Sequence, residues 1–235
     1  MLNSNLLAFV ITFSVAILWL RLNDFAAHKG WISSWLSRKL IHIGTGPLFV
    51  FCWVLFDDTF TARLLATVIP LLITAQFVLV GFGIIKDEAA VKALSRTGDR
   101  REILRGPLYY GIIFVLITLL YWKSTPIGIT ALMLMCGGDG LAEILGRKFG
   151  KNKLPWNTAK SFAGSAGMFL GGWSLSVLVT AYLSAFQSLD QPLVSSLAPI
   201  TIIAAVGVII ESLPLKNIDN ITITLSALIL GHLLF

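Results

Sequence analysis

The sequence predicts an all-α fold: a polytopic membrane helix bundle of about eight transmembrane helices, within a range of seven to nine. Three observations carry this. Hydrophobic residues make up 56% of the chain and charged ones only 13%, a balance that excludes an ordinary soluble domain. The apolar runs recur from end to end and have helical length, since a bilayer core about 30 Å thick needs about 20 residues per helix. Lys and Arg collect between the runs, and their number alternates from loop to loop.

The runs lie at 5–20, 40–56, 62–85, 107–122, 126–146, 162–186, 194–213 and 221–235. The first follows Met1 to Asn5, which carries no basic n-region, and it lacks a small-residue cleavage site. It reads as a retained span rather than a signal peptide. No Arg- and Ser-rich leader precedes it, so a protein working in an organelle would already have shed its transit peptide. The last run is the shortest. The seven loops hold four, one, six, one, five, no and one basic residues. Positive charge resists translocation, so loops one, three, five and seven, with 16 of the 18 Lys and Arg, are expected on the cytoplasmic side and both termini outside.

The net charge of +6 is then a one-sided surface suited to anionic lipid heads or a phosphate ligand, and nothing resembles a nucleic-acid reader. Cys52 and Cys136 sit inside apolar runs without metal-type spacing and are expected as reduced thiols. With no repeat, low-complexity tract or long linker, the chain reads as a single integral membrane domain over 1–235.

The topology puts four polar clusters at the cytoplasmic end: Arg38, Lys39 and His42; Asp99 to Arg105; Asp139 to Ser165; and Glu211 to Asn220. The third is the most informative. It reads GGDGLAEILGRKFGKNKLPWNTAKSFAGS from Gly137, an acidic pair followed by a wholly basic loop and a glycine and serine helix entry. An aspartate near a helix centre costs about 2.5–3.5 kcal/mol on insertion scales, so Asp139 demands a reason. Glu143 follows one turn later, so both carboxylates face one way and suit a divalent cation with bound waters, and Arg147 extends the face. The alternative for this helix is a Glu143 to Arg147 ion pair beside a hydrogen-bonded Asp139.

Arg147, Lys148, Lys151, Lys153 and Lys160 follow with no acidic residue among them, then Ser161, Gly164 and Ser165 at the start of the sixth run. This is a phosphate cradle in outline, with a helix N-terminus aimed at the basic loop. Ser161 suits a cap or a phosphate contact, and Gly164, Gly167 and Gly171 suit ligand approach or close helix packing. Lys160 and Ser161 are not a Walker A motif, because the preceding glycines are absent and no strand is expected upstream. Carboxylates for Mg²⁺ beside Lys and Arg donors are the apparatus of phosphoryl or nucleotidyl transfer. Arg38, Lys39 and His42 open the second run, with Lys39 and His42 on one helical face. Asp99 to Arg105 looks like a solvated linker on charge alone, with Arg105 a candidate ligand contact. Glu211 closes the seventh run, Pro214 breaks it, and Asp219 with Asn220 opens the last, where capping is the alternative role.

These motifs together, GDGLAEILGRKFG, KLPWN, KSFAGS, RKLIHIGTG and ESLPLKNIDN, resemble the phytol kinase and polyprenol kinase family over most of the chain. They are more distantly similar to the membrane cytidylyltransferases that make CDP-diacylglycerol. The resemblance implies transfer of the terminal phosphate of CTP, or UTP, to the hydroxyl of phytol, geranylgeraniol or a similar isoprenoid alcohol, with Mg²⁺ required and phytol salvage toward tocopherol as the setting. It implies a bacterial, including cyanobacterial, or plastid membrane. On this pattern Asp139, Lys160 and His42 are the catalytic candidates. Arg38, Lys39, Arg105, Arg147, Lys148, Lys153, Ser161, Gly164, Ser165 and Asn220 are the nucleotide-binding candidates, and Asp139, Glu143, Glu211 and Asp219 the metal-binding ones. Glu143 stands where the family has Asp as often. The hydroxyl proton has three candidate acceptors at this stage: Asp139, His42 or water. The alternatives to a kinase are a cytidylyltransferase acting on a lipid phosphate and a transporter for an anionic solute.

Overall fold

The computed structural model describes residues 2–95, 97–189, 191–214 and 218–235. By internal contact the chain groups into two compact units, 1–120 and 121–235, and each is taken by itself.

The first unit is built from α1 (Leu2–His28), α2 (Ser34–Phe51), α3 (Phe60–Phe82), the short α4 (Glu88–Leu94) and α5 (Gly106–Leu120), with 3-10 turns at Cys52–Leu55 and Arg100–Leu104. Polar residues mark the helix starts. Ser33 accepts from the Leu36 amide, Thr59 from Ala62 and Asp87 from Ala90, each satisfying an amide that helix geometry leaves free. Gly83 ends α3 at φ 78°, the left-handed conformation that glycine adopts without strain. The start of α1 is tied to the loop before α3 twice. The Asn5 amide donates to the Asp57 carboxylate at 3.1 Å, and the Asp57 backbone N–H donates to Asn5 Oδ1 at 2.9 Å.

The second unit holds α6 (Pro126–Met133), a π-helical turn at Leu134–Gly138, α7 (Asp139–Phe149), a hairpin of β1 (Lys153–Leu154) and β2 (Asn157–Ser161), α8 (Phe162–Ala185), α9 (Leu193–Ser212) and α10 (Asp219–Leu234). Packing is close where α8 meets the π-helical turn and α7. A Cβ on Gly171 would lie 2.2 Å from the Gly137 carbonyl oxygen, and one on Gly167 2.7 Å from that of Leu141. Only glycine lets these two backbones touch, so the glycine run of α8 is a close-packing face.

All eight apolar runs are helical. Among the described residues, six helical segments are long and apolar enough to cross a membrane: Ser4–His28, Phe60–Phe82, Arg100–Leu120, Pro126–Phe149, Phe162–Ala185 and Leu193–Ser212. The other two runs form α2, which carries polar Arg38, Lys39 and His42 and an internal Pro47, and α10, at 16 residues. The fold is an all-α bundle of a polytopic membrane protein.

Three expectations are corrected. The second run begins at Ser34, so Arg38, Lys39 and His42 lie inside α2 rather than at its start. Residues 86–105 are not a plain linker, since α4 and a 3-10 turn occupy most of them. A strand does precede Ser161, and Lys160 lies on it. Both cysteines are free, Cys136 buried and Cys52 half-buried.

Candidate functional site

The second unit gathers its charges where β2 meets the facing ends of α9 and α10. Lys160, on β2, makes an ion pair with Glu211 near the end of α9, and its Nζ lies 3.7 Å from Asp219 Oδ2 at the start of α10. The Glu211 side chain is 4% exposed and that of Lys160 26%. One Glu211 oxygen receives the Lys160 ammonium, whereas Oε2 is buried with no hydrogen-bond partner among the described residues. Burial acts against the Lys160 charge, but Glu211 by attraction and hydrogen bonding, then Asp219 and Asp139, outweigh it, and its pKa is held above the ordinary lysine value. Asp139, half-buried at the start of α7, therefore stands within electrostatic range of the cluster.

Asp219 is not a helix cap. The capping position of α10 is Ile218, without a side-chain cap, and Asp219 is instead directed to Lys160. Pro214 follows the end of α9 at Ser212, as its missing N–H requires. Asn220 accepts the Thr224 hydroxyl at its backbone carbonyl. Lys216, within the ESLPLKNIDN motif, lies outside the described residues.

The remaining second-unit candidates divide by burial. Glu143 is half-buried on the Asp139 face of α7, and Arg147, Lys148 and Lys153 are exposed. Ser161 is 3% exposed and its hydroxyl oxygen caps α8 by accepting the Gly164 amide at 3.2 Å. The space beside Gly164 is filled by the Ala142 carbonyl at 3.2 Å from a notional Cβ, so this glycine serves helix contact. Ser165 is half-buried on the first turn of α8. Among the described residues, no three His, Cys, Asp or Glu side chains group to hold a metal unaided, and Asp139, Glu143, Glu211 and Asp219 are no exception.

Two positioning residues escaped the sequence reading. The Trp156 indole N–H donates to Ser212 Oγ at 3.2 Å, and the Asn157 side-chain amide donates to the Ser212 carbonyl at 3.0 Å. Asn157 Oδ1 also accepts the Ala159 amide at 3.2 Å. The hairpin thus satisfies a free carbonyl at the end of α9 and, three residues on, delivers Lys160 to Glu211. The Pro155–Trp156 tip within KLPWN was the available signal, since a proline beside strand-type residues marks a turn.

The first-unit candidates have local partners. Arg38 Nη1 donates to the Ser95 carbonyl at 3.0 Å, which ties α2 to the end of α4. Lys39 is 6% exposed. The His42 ring lies 4.6 Å from that of Tyr110, whose hydroxyl donates to the His42 carbonyl at 2.7 Å. Arg105 is exposed at the end of its 3-10 turn.

Fold and cluster define a helical membrane protein with a buried, charged site at helix ends, in which one lysine is held by two carboxylates. Comparison with known proteins makes the class specific. A Triticum aestivum protein named probable phytol kinase, chloroplastic, is 39% identical over 214 residues, 90% of this chain and 71% of its own. An Arabidopsis thaliana protein named farnesol kinase, chloroplastic, is 39% identical over 234 residues, 99% of this chain and 76% of its own. Another from Arabidopsis thaliana, phytol kinase 1, chloroplastic, is 37% identical over 202 residues, 85% of this chain and 66% of its own. No family model matches the chain, and no solved structure matches it. The chain belongs to the phytol kinase and farnesol kinase family, a family of lipid kinases.

Proposed function

We propose that this protein phosphorylates an isoprenoid alcohol such as phytol, geranylgeraniol or farnesol, taking the terminal phosphate of CTP or UTP at the cytoplasmic or stromal face of a bacterial or plastid membrane. The observation that carries the reading is the Lys160–Glu211–Asp219 cluster, with Asp139 in electrostatic range, in a chain 39% identical to a farnesol kinase over nearly all its length. Sixteen of the 18 basic residues in alternate loops support the assignment of the face.

The alcohol oxygen attacks the terminal phosphorus, the bond from that phosphorus to the bridging oxygen breaks, and a nucleoside diphosphate leaves while the hydroxyl proton is released. Such a transfer needs positioning and charge neutralisation more than covalent help from the protein. Lys160, kept cationic by its carboxylate neighbours, is the donor for the transferring group, and the exposed Arg147, Lys148 and Lys153 of the same basic stretch are candidates to meet the nucleotide. Asn157 and Trp156 hold Lys160 in place through Ser212.

The donor set fits Mg²⁺ that arrives on the nucleotide. Such an ion keeps several waters and takes one or two carboxylates beside phosphate oxygens, whereas a dedicated cage would need the three-ligand group that is absent among the described residues. Asp139 and the unpartnered Oε2 of Glu211 are the groups to hold it. Bound there, it would neutralise charge developing on the phosphates.

The test is label transfer. Purified protein is incubated with CTP, UTP or ATP labelled at the terminal or the first phosphate, together with a panel of isoprenoid alcohols. Terminal label in a lipid monophosphate, with diphosphate nucleotide released, is the expected result. First-phosphate label in the lipid with pyrophosphate release, or no lipid product, overturns it.

A further inference from the structure

We propose that the β1–β2 hairpin is an interfacial anchor, docked on the headgroup layer of a bilayer that carries anionic lipid. Trp156 and Asn157, at its turn, are bonded to Ser212, the last residue of α9. A hairpin pinned at its tip to the end of a membrane-length helix lies across the helix ends instead of projecting into water. The hairpin also joins α7 and α8 directly, so both its roots leave membrane-length segments.

Its tip and the two helix ends at its roots carry exposed aromatic and basic residues. Trp156 is 58% exposed, Phe149 57% and Phe162 55%, although the Trp156 N–H is already satisfied by Ser212. Lys148, whose Nζ lies 5.2 Å from the centre of the Phe149 ring, and Lys151 are exposed beside them. No Asp or Glu occurs from Ile144 to Leu189. Three exposed aromatics would be unfavourable in bulk water, and uniform positive charge would be unfavourable against hydrocarbon. The layer that suits both is the membrane interface, where aromatic rings sit at headgroup level and each nearby Lys is attracted to anionic lipid. Docking there fixes the depth of Lys160, and with it the depth at which a lipid's polar head must present itself.

The full chain in lipid nanodiscs tests this without any chemical step, so its outcome is separate from that of phosphoryl transfer. The Trp156 signal is the wild-type emission minus that of Trp156→Phe. Phe149→Trp gives a second probe that leaves the Ser212 contact intact. Both signals are expected to be quenched about twofold or more by lipids brominated near the headgroup end of the chain, and weakly by aqueous acrylamide. Anionic lipid should strengthen this quenching, and Lys151→Glu should weaken that dependence. Rings quenched by acrylamide and indifferent to brominated lipid overturn the proposal. So does a Trp156 response to added CTP with none to lipid, which would assign the ring to the nucleotide base. An anionic-lipid dependence unchanged in Lys151→Glu also counts against it.

Discussion

Glu211 and Lys160 are worth more together than apart. A carboxylate 4% exposed persists because an ammonium faces it, and removing one partner strands the other. Lys160→Met is therefore expected to lower stability by about 3 kcal/mol, read by thermal unfolding in detergent. Lys160→Met combined with Glu211→Leu should recover most of that loss while phosphoryl transfer stays abolished, which separates folding from chemistry. A pH dependence follows from the same pair. The folded chain binds the Lys160 proton more tightly than the unfolded chain does, so the contribution is fully present below the ordinary lysine pKa and disappears as pH rises through the higher folded value. The wild-type minus Lys160→Met melting difference should thus be flat from neutral pH to about pH 10 and shrink above it, and it should also shrink in acid, where protonation of Glu211 removes the charge that the substitution strands. Asp139→Asn keeps the shape of the side chain and removes its charge. It is expected to reduce label transfer by about a hundredfold or more with little change in melting, as the loss of one preorganised electrostatic group does.

At the scale of elements, the long helices were legible because a bilayer forces apolar length, and Asp139, Lys160, Glu211 and Asp219 were legible because charge in such a chain needs a reason. The hairpin was not. Its strands, Lys153–Leu154 and Asn157–Ser161, are too short for alternation to show, and they are docked by Asn157 and Trp156 on Ser212, a partner 55 and 56 residues away. The π-helical turn before Asp139 was equally hidden, since Leu134–Gly138 is apolar and small whichever hydrogen-bond register it takes. The glycines of α8 were read as open to ligand or to helix, and the carbonyl of Gly137 decides for helix at Gly171. Gly171→Leu should accordingly force α7 and α8 apart and lower stability by about 1–3 kcal/mol, whereas Gly106→Ala, whose Cβ would meet nothing within 4 Å, should melt like the wild type. Asn157→Ala should keep the fold and lower the transfer rate more than nucleotide affinity. The hairpin would still form, but Lys160 would no longer be held against Glu211, and a kcat loss larger than the KM change is the sign of it.

For the whole molecule, the proposed orientation rests on the basic residues alone. Each of the eight apolar runs is helical, so consecutive loops fall on opposite sides if every helix crosses, including α2 and the 16-residue α10. Those two differ from the rest, α2 by its polar residues and α10 by its length. Single cysteines introduced at Gly98 and Lys151, in a chain freed of Cys52 and Cys136, are expected to react with an impermeant maleimide from the cytoplasmic side only. Cysteines at Thr59 and Ser124 should react from the other side only. If α2 does not cross, Gly98 and Thr59 keep opposite faces because α3 still separates them, but a cysteine at Gly30 would move to the Thr59 side. Gly30, Gly98 and Lys151 labelled from one face would put the four-residue, six-residue and five-residue basic loops together, as the resistance of positive charge to translocation requires. Labelling of Lys151 from the side opposite to Gly98 would separate the hairpin lysines from the other basic loops and overturn this orientation.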